Sequence, residues 1–340
     1  MTTLGDERRC PVCQSSRSRP VCGRDRHGKR LHTVICLDCG LYRTDPLPSL
    51  SALRVFYEER YRLEYKGCAR PRLHRAIRGA AAARERIRRL LPYLPLRRRW
   101  LDAGAGSGEF AFLLQRLGHE VEAAEPDPAY ADYLRQELGL PARRAFVEDL
   151  PASLGPFDGV TFFHVLEHHP DPCQALRRLA SLLAHDGILA VETPNVTALL
   201  CHPRSRFHPA HVVHFSLQTL RYAAQKAGLH PLEMQESADG GVLWAVFRRG
   251  EEAGADGQAP AVAPLLESEA ARSETGYYLN PRVWARTLRR LARMGVERCA
   301  AMRYASARDY LMQVELPGRE RSDQGGTASP LRHPEESPAE

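Results

Sequence analysis

Trp100-Leu-Asp102-Ala-Gly104-Ala-Gly106-Ser-Gly108, continued by Glu109 to Glu125 as EFAFLLQRLGHEVEAAE, is the stretch whose reading decides the fold. A short apolar run, Trp100, Leu101 and Ala103, meets three alternate glycines. An apolar-periodic segment (Phe110, Leu113, Leu114, Leu117) then closes at Gly118. The pattern predicts a strand, a tight glycine turn and a helix. A second strand is expected from Val121 to Ala124, ending on Glu125. Glycines in such a turn permit positive φ and close approach of a ligand to the backbone, while the helix that follows presents unpaired N–H groups. An acidic side chain about 20 residues further on is placed to accept from a ribose diol.

Two ligands compete for this geometry. A dinucleotide fingerprint spaces its glycines G-x-G-x-x-G and seats a pyrophosphate on the helix N-terminus. Here the spacing is D-x-G-x-G-x-G, and Asp102 would repel a phosphate and attract an ammonium. That favours S-adenosylmethionine, which is zwitterionic at its amino-acid end and carries no phosphate. The segment resembles motif I of the class I S-adenosylmethionine-dependent methyltransferases, and the resemblance runs on to about Phe247. It implies an α/β, Rossmann-like seven-stranded sheet, with Asp102, Gly104, Gly106, Gly108 and Glu125 on the cofactor.

A second signature resembles the quinone-biosynthetic O-methyltransferases (type 11/23-like) and their relatives. It reads Phe157-Asp158-Gly-Val-Thr-Phe-Phe-His164-Val-Leu-Glu167-His168-His169-Pro-Asp171-Pro172. Val160 to Phe163 is expected as a buried parallel strand, with the polar groups at its carboxyl end, where open α/β sheets bind ligands. His164 is a candidate general base, since an imidazole titrates near neutral pH; it also stands where its backbone can touch the cofactor. Some relatives hold a divalent cation with acidic residues and a histidine in this segment. Here His164 stands in place of a carboxylate, beside Glu167 and His168. The resemblance also places an acidic residue in the preceding loop on the adenine amino group, which points to Glu148 or Asp149, although Phe146 occupies a position that is frequently acidic. No Asn-Pro-Pro-Tyr tetrapeptide is present, which disfavours methylation of an exocyclic base amine. After the strand Ile188 to Glu192 comes Glu192-Thr-Pro-Asn195, so Asn195 and the loop holding Arg204 and His208 are expected to line an acceptor pocket. His211-Val-Val-His214-Phe-Ser matches a family pattern ahead of the next helix, making His211 and His214 further candidates for acid–base work or acceptor contact.

Cys10-Pro-Val-Cys13 and Cys36-Leu-Asp-Cys39 are two thiolate knuckles. Two such pairs supply the tetrahedral S₄ set of a structural zinc site, and four thiolates leave no open coordination position for catalysis. Cys22, His27 and His32 lie close enough in sequence to exchange for one ligand, whereas Cys68, Cys173, Cys201 and Cys299 are isolated. A zinc ribbon ahead of such a core resembles an arrangement in bacterial methyltransferases acting on sugars and other small metabolites. It also bears a weaker resemblance to ribosomal RNA guanine methyltransferases.

The organisation expected is a zinc ribbon at 1–45, helical lid or pre-core helices at 46–97, and the methyltransferase core at 98–249. A flexible linker at 250–280, a C-terminal helical extension at 281–316 and a disordered tail at 317–340 follow. Tyr57, Tyr61 and Tyr65 fall on one face of a pre-core helix. Pro71 to Leu91 reads as a long arginine-rich helix, followed by Arg97 to Arg99. The 340 residues carry a net charge of +7, which suits anionic partners, or else a solvated arginine-rich surface. MTTLGDERRC lacks an apolar h-region and no run suits a membrane span, so a cytoplasmic protein is expected. The function expected is methyl transfer to oxygen or carbon of a small-molecule acceptor. An RNA methyltransferase and a non-catalytic zinc-ribbon adaptor are the alternatives.

Overall fold

The structure, a computed structural model, describes residues 9–59, 71–94, 98–250 and 258–317. Tyr61, Tyr65, Cys68, Arg97, part of the expected linker and nearly all of the expected tail lie outside the described residues.

Three antiparallel strands, β1 (Ser18–Arg24), β2 (Arg30–Cys36) and β3 (Tyr42–Thr44), come first. Helices α1 (Leu50–Glu59) and α2 (Leu73–Leu90) precede an alternation of strands and helices: β4 (Arg99–Ala103), α3 (Glu109–Arg116), β5 (Glu120–Ala124), α4 (Pro128–Gln136), β6 (Ala142–Arg143), β7 (Phe157–Phe163), α5 (Pro172–Ser181) and β8 (Leu183–Pro194). Then come β9 (Val213–His214), α6 (Leu217–Lys226), β10 (Leu229–Glu236) and β11 (Val242–Arg249). The main sheet has seven strands in the order β10-β11-β8-β7-β4-β5-β6, with β11 antiparallel to both neighbours. Strand order turns at β4 and β7, and the carboxyl ends of the parallel strands open a crevice there.

Alternation along the strands fills both faces of the sheet. Trp100, Ile188, Ala190, Trp244 and Val246 face the layer built by α2, α3 and α4. Leu101, Val160, Phe162, Leu189 and Val191 face α5 and α6. Caps fix where the helices begin: Asp127 accepts from Tyr130 N, Asp171 from Gln174 N, and Ser216 forms a reciprocal box with Thr219. Each satisfies N–H groups that a helix start leaves unpaired.

The ribbon is joined to the core by backbone pairing. Strand β3 pairs with β9, Tyr42 opposite His214 and Arg43 opposite Val213, so the ribbon sheet runs β1-β2-β3-β9. Cys10, Val12, Cys36, Cys39 and Leu41 are buried in the same cluster as α5 and α6.

Across 250–280, where a flexible linker is expected, the structure instead has α7 (Ala263–Ala271) and α8 (Glu274–Leu279). Leu265 is buried and Glu269 pairs with both Arg206 and Arg272. These contacts hold a Glu- and Ala-rich segment that composition alone marks as a spacer. Helices α9 (Pro281–Ala301) and α10 (Ala307–Gln313) complete the described chain.

The glycine turn sits at the heart of this packing. Gly104, Gly106 and Gly108 have φ of 78°, 57° and 79°. A Cβ on Gly108 would stand 2.2 Å from Leu134 Cδ2, and one on Gly104 would stand 2.4 Å from Val165 Cγ2. Gly108→Ala is therefore expected to lose about 2–4 kcal/mol, from backbone strain and overpacking together. Chemical denaturation of the variant beside the parent checks this; an unchanged midpoint would contradict the packing described.

Candidate active site

At the carboxyl edge of the sheet lies a cavity of about 390 Å³, lined by the glycine turn, the end of β5, the end of β7 and the segment that follows it. Gly106 faces it with open space where a Cβ would stand. The Glu125 side chain turns back, accepting from Gly106 N at 2.8 Å and Asp127 N at 3.1 Å, and lines the same cavity. The three glycines thus differ in role: Gly104 and Gly108 make room for neighbouring side chains, and Gly106 leaves room for a ligand. An open cradle over a glycine beside a strand-end carboxylate fits the adenosyl end of S-adenosylmethionine.

Asp102 does not line the cavity. Its carboxylate is buried and accepts from Thr161 Oγ1 at 2.7 Å. Burial pushes its pKa up to about 6, against the hydrogen bond from Thr161. Glu109, at the start of α3, is likewise pushed up by burial to about 7.

The two carboxylates expected on adenine are turned to protein partners. Glu148 Oε1 lies 2.7 Å from His169 Nδ1, and Asp149 pairs with Arg54 at 2.7 Å. Neither lines the cavity; Phe146, His169 and Arg54 do, with the Arg54 guanidinium 4.8 Å above the Phe146 ring. The wall around Phe146 is aromatic and cationic where a carboxylate is expected, because Glu148 and Asp149 are turned to His169 and Arg54.

His164 carries the strain of the site. Its φ is 57°, unusual for a residue with a Cβ. Its backbone N–H donates to Glu192 O at 2.7 Å, and its Nε2 lies 2.8 Å from Glu192 Oε1. Glu192, at the end of β8, also receives Arg86 from α2 at 2.6 Å, and the Arg86 guanidinium sits 4.5 Å above Phe163. Burial alone would lower the His164 pKa, but the facing Glu167 and Glu192 carboxylates outweigh it and raise it to about 9. At neutral pH His164 is an imidazolium, which opposes the general-base role expected of it.

Glu167 stands at the centre of a histidine cluster. Thr193 Oγ1 donates to its Oε2 at 3.0 Å, while Oε1 is buried with no hydrogen bond among the described residues. His164 Nδ1 and His211 Nε2 lie 3.6 and 3.8 Å from that oxygen. His168 Nδ1 faces Ala210 O at 2.6 Å, so Nδ1 carries the proton and Nε2 is left as an acceptor. Glu167, His168 and His211 offer metal-ligand atoms all within 4.8 Å of one another, a set that takes in His211 and leaves out His164. His211 lines the cavity, and burial followed by the neighbouring His168 and His208 holds it neutral, well below its ordinary pKa. His214 does not reach the cavity: it lies in the ribbon sheet with its ring edge-on to Phe207, 5.0 Å away, and burial lowers it to about 3. Asn195 is buried at the end of β8, bonding Gly240 O and Thr197.

Arg86 and Glu192 went unsuggested as site residues in the sequence. Glu192 had a signal, as a carboxylate ending an otherwise apolar strand. Arg86 had none, being one of many arginines on its helix.

The Cys10, Cys13, Cys36 and Cys39 sulfurs also lie within 4.8 Å of one another. Cys10 Sγ to Cys39 Sγ and Cys13 Sγ to Cys36 Sγ are each 3.5 Å. Cys22 turns away to Arg24 O, and His27 and His32 meet Arg26 and Arg30.

A histidine whose folded pKa is raised contributes stability that is complete below its unfolded value near 6.5 and is lost as pH rises through about 9. The His164 ring resonance should therefore titrate near 9 by NMR and move towards neutrality in Glu192→Gln. A midpoint near 6.5 in the parent would refute the pairing.

Residues 73–234 match the family model described as a methyltransferase domain. The ubiquinone biosynthesis O-methyltransferase of Xanthomonas campestris pv. campestris (strain B100) is 39% identical over 105 residues, 29% of this chain and 44% of that protein. Its counterpart in Xanthomonas axonopodis pv. citri (strain 306) is 38% identical over 109 residues, 30% of this chain and 46% of that protein. The chain spans less than half the length of these curated relatives. Among solved structures, Burkholderia thailandensis 1,6-didemethyltoxoflavin-N1-methyltransferase, with its ligand and S-adenosylhomocysteine bound, matches at 22% identity and a TM-score of 0.46. That match covers 64% of this chain and 96% of the other. Residues 73–234 of this chain are thus similar to a methyltransferase domain, and they supply most of the seven-stranded sheet.

Proposed function

We propose that the protein transfers a methyl group from S-adenosylmethionine to an oxygen or carbon of a small-molecule acceptor. The observation that carries this reading is the open cradle over Gly106 beside Glu125, continuous with a cavity that ends at His164 and His211. The curated relatives, named as O-methyltransferases, support oxygen as the acceptor atom.

S-adenosylmethionine, when bound, supplies an electrophilic methyl group; the chain's residues hold, orient and deprotonate around it. Gly106 and Glu125 seat the adenosyl end. Asp102 acts from beneath the turn, holding β4 to β7 through Thr161. His211 is neutral and cavity-facing, so it is the base for an acceptor hydroxyl, and Glu167 stabilises the imidazolium that results. His164, charged and clamped by Glu192, orients the acceptor by donating rather than by taking a proton. The aromatic wall of Phe146 and Phe163 excludes water from the transfer.

The cysteine cluster is assigned to one structural zinc ion. With Zn–S bonds of ~2.3 Å a tetrahedral site has sulfurs about 3.8 Å apart, close to the 3.5 Å pairs seen here. Among the described residues no helix is long and apolar enough to cross a membrane.

Calorimetric titration with S-adenosylmethionine, with NAD as control, tests the main reading. Binding of the first alone is expected, weakened at least about tenfold in Glu125→Ala as two backbone donors lose their acceptor; binding of NAD alone would overturn it. His211→Gln should lower kcat more than KM and remove the acid limb of its pH profile. Metal analysis should find one zinc per chain, and Cys36→Ser should lower both zinc content and melting temperature; an unchanged melting temperature would refute the structural role.

A further inference from the structure

A second, larger cavity of about 1430 Å³ lies at the same carboxyl edge of the sheet, over β8 and β10. Its walls are the segment after β8 (Thr197–His202), the β10–β11 turn around Asp239 and Gly240, and one face of α9. The two sites are structurally adjacent. Thr197 bonds the Asn195 side chain, Asn195 bonds Gly240 O, and Asn195 stands three residues past Glu192, the partner of His164. Helix α2 spans both, with Arg86 on Glu192 and Arg78 on the second cavity, ~12 Å apart along the helix.

Arginine dominates the walls of this cavity: Arg78, Arg282, Arg286, Arg289, Arg290 and Arg293 all line it, against the carboxylates of Glu236 and Asp239. Some are already neutralised. Arg78 and Arg293 pair with Glu297, and Arg286 reaches Asp239 at 3.5 Å and Leu200 O at 2.8 Å. The side chains of Arg282, Arg289 and Arg290 have no hydrogen-bond or ion-pair partner among the described residues.

The orientation of α9 strengthens the point. Its arginines at 282, 286, 289, 290 and 293 share the cavity face, while Trp284, Leu288 and Leu291 face outwards, 54%, 67% and 59% exposed. An amphipathic helix packed for burial alone turns its apolar stripe inwards. Here the cationic face is the one aimed at the fold, and like charges spaced at single turns repel one another unless an anion lies between them.

We propose that this cavity binds the phosphate-bearing end of the methyl acceptor, with Arg282, Arg289 and Arg290 as its direct ligands and Arg286 held ready by Asp239. The inference rests on the methyltransferase reading and names the acceptor's class: a small molecule with a polyvalent phosphate group at one end and its nucleophile at the other. Guanidinium groups suit phosphate through paired N–H donors. The unpaired arginines span ~12 Å of helix, more positive charge than a single carboxylate neutralises. A cavity bounded by three separate chain segments at the same sheet edge as the transfer site favours a compact ligand over a nucleic acid strand, which needs an extended track.

Inorganic pyrophosphate, titrated calorimetrically into the full-length, zinc-replete chain, is the test. Binding that weakens with added salt is expected, reduced roughly tenfold or more in the Arg289→Ala, Arg290→Ala double variant through loss of charge-assisted hydrogen bonds. The affinity for S-adenosylmethionine should be unchanged in that variant. Arg282→Glu, on a separate turn of α9, gives an independent reading should the double variant fold poorly. No binding of pyrophosphate, or equal binding by parent and variants, overturns the proposal. Citrate binding as well as pyrophosphate overturns the phosphate assignment. A single-stranded RNA oligonucleotide bound more tightly than pyrophosphate, and lost in the same variants, overturns the small-molecule assignment. The S-adenosylmethionine titration separates the two readings: its failure with pyrophosphate binding intact would sink the methyltransferase reading and leave an anion site standing.

Discussion

The Glu192 carboxylate is the interaction on which the geometry of the crevice depends. It ends β8, receives Arg86 from α2 and holds Nε2 of His164, whose backbone is simultaneously tied to Glu192 O. One residue thus fixes the helix packed on the sheet, the end of the neighbouring strand and a histidine in a left-handed conformation that it would not keep unaided. The Arg86–Glu192 pair is largely desolvated, where losing one partner leaves the other charge stranded and costs far more than a surface pair would, while the His164 side chain keeps 41% of its surface exposed. Positions that store strain in this way are usually over-determined by their surroundings, and His164 is held by backbone, side chain and neighbouring Glu167 together.

Around that anchor, the site divides its titratable groups into charged and neutral sets. His164 and Glu192 form an ion pair at neutral pH, whereas His168, His211 and His214 are held below the ordinary imidazole range by burial and by neighbouring imidazole and guanidinium groups. Two histidines facing the same Glu167 oxygen, His164 at 3.6 Å and His211 at 3.8 Å, therefore have opposite proton inventories. Environments that push like groups apart are how a single crevice holds a proton donor and a proton acceptor together.

Much of the fold was legible because its determinants are local. The glycines at 104, 106 and 108 are demanded by positive φ, and β4, α3 and β5 follow from short-range periodicity. Glu125 was legible for the same reason, being a fixed distance along one βαβ unit. What escaped depends on residues distant in sequence. The family resemblance puts Glu148 or Asp149 on the adenine, but His169, 21 positions from Glu148, and Arg54 from α1 take up the two carboxylates. Asp102 was expected to meet the ligand directly, and its partner is Thr161 on the adjacent strand. His211 and His214 looked equivalent in the sequence, and only the pairing of β9 with the ribbon shows that one faces the cavity and the other the sheet. The helices at 263–279 escaped because what holds them lies far off in sequence, Arg206 against Glu269 and the pocket of Ile35 and Phe207 that takes Leu265, and not in a continuous apolar stripe.

The pairing of β3 with β9 also constrains how the chain reaches this structure. The knuckles at 10–13 and 36–39 are neighbours in sequence and can close early. Their docking strand, however, waits for residues 213–214, about 170 positions later. During synthesis the ribbon hairpin must stand apart, its edge strand unpaired, until five of the seven strands of the main sheet have emerged. The ribbon is then a clasp rather than a preface: made before the sheet, and fastened to it only once β9 has followed.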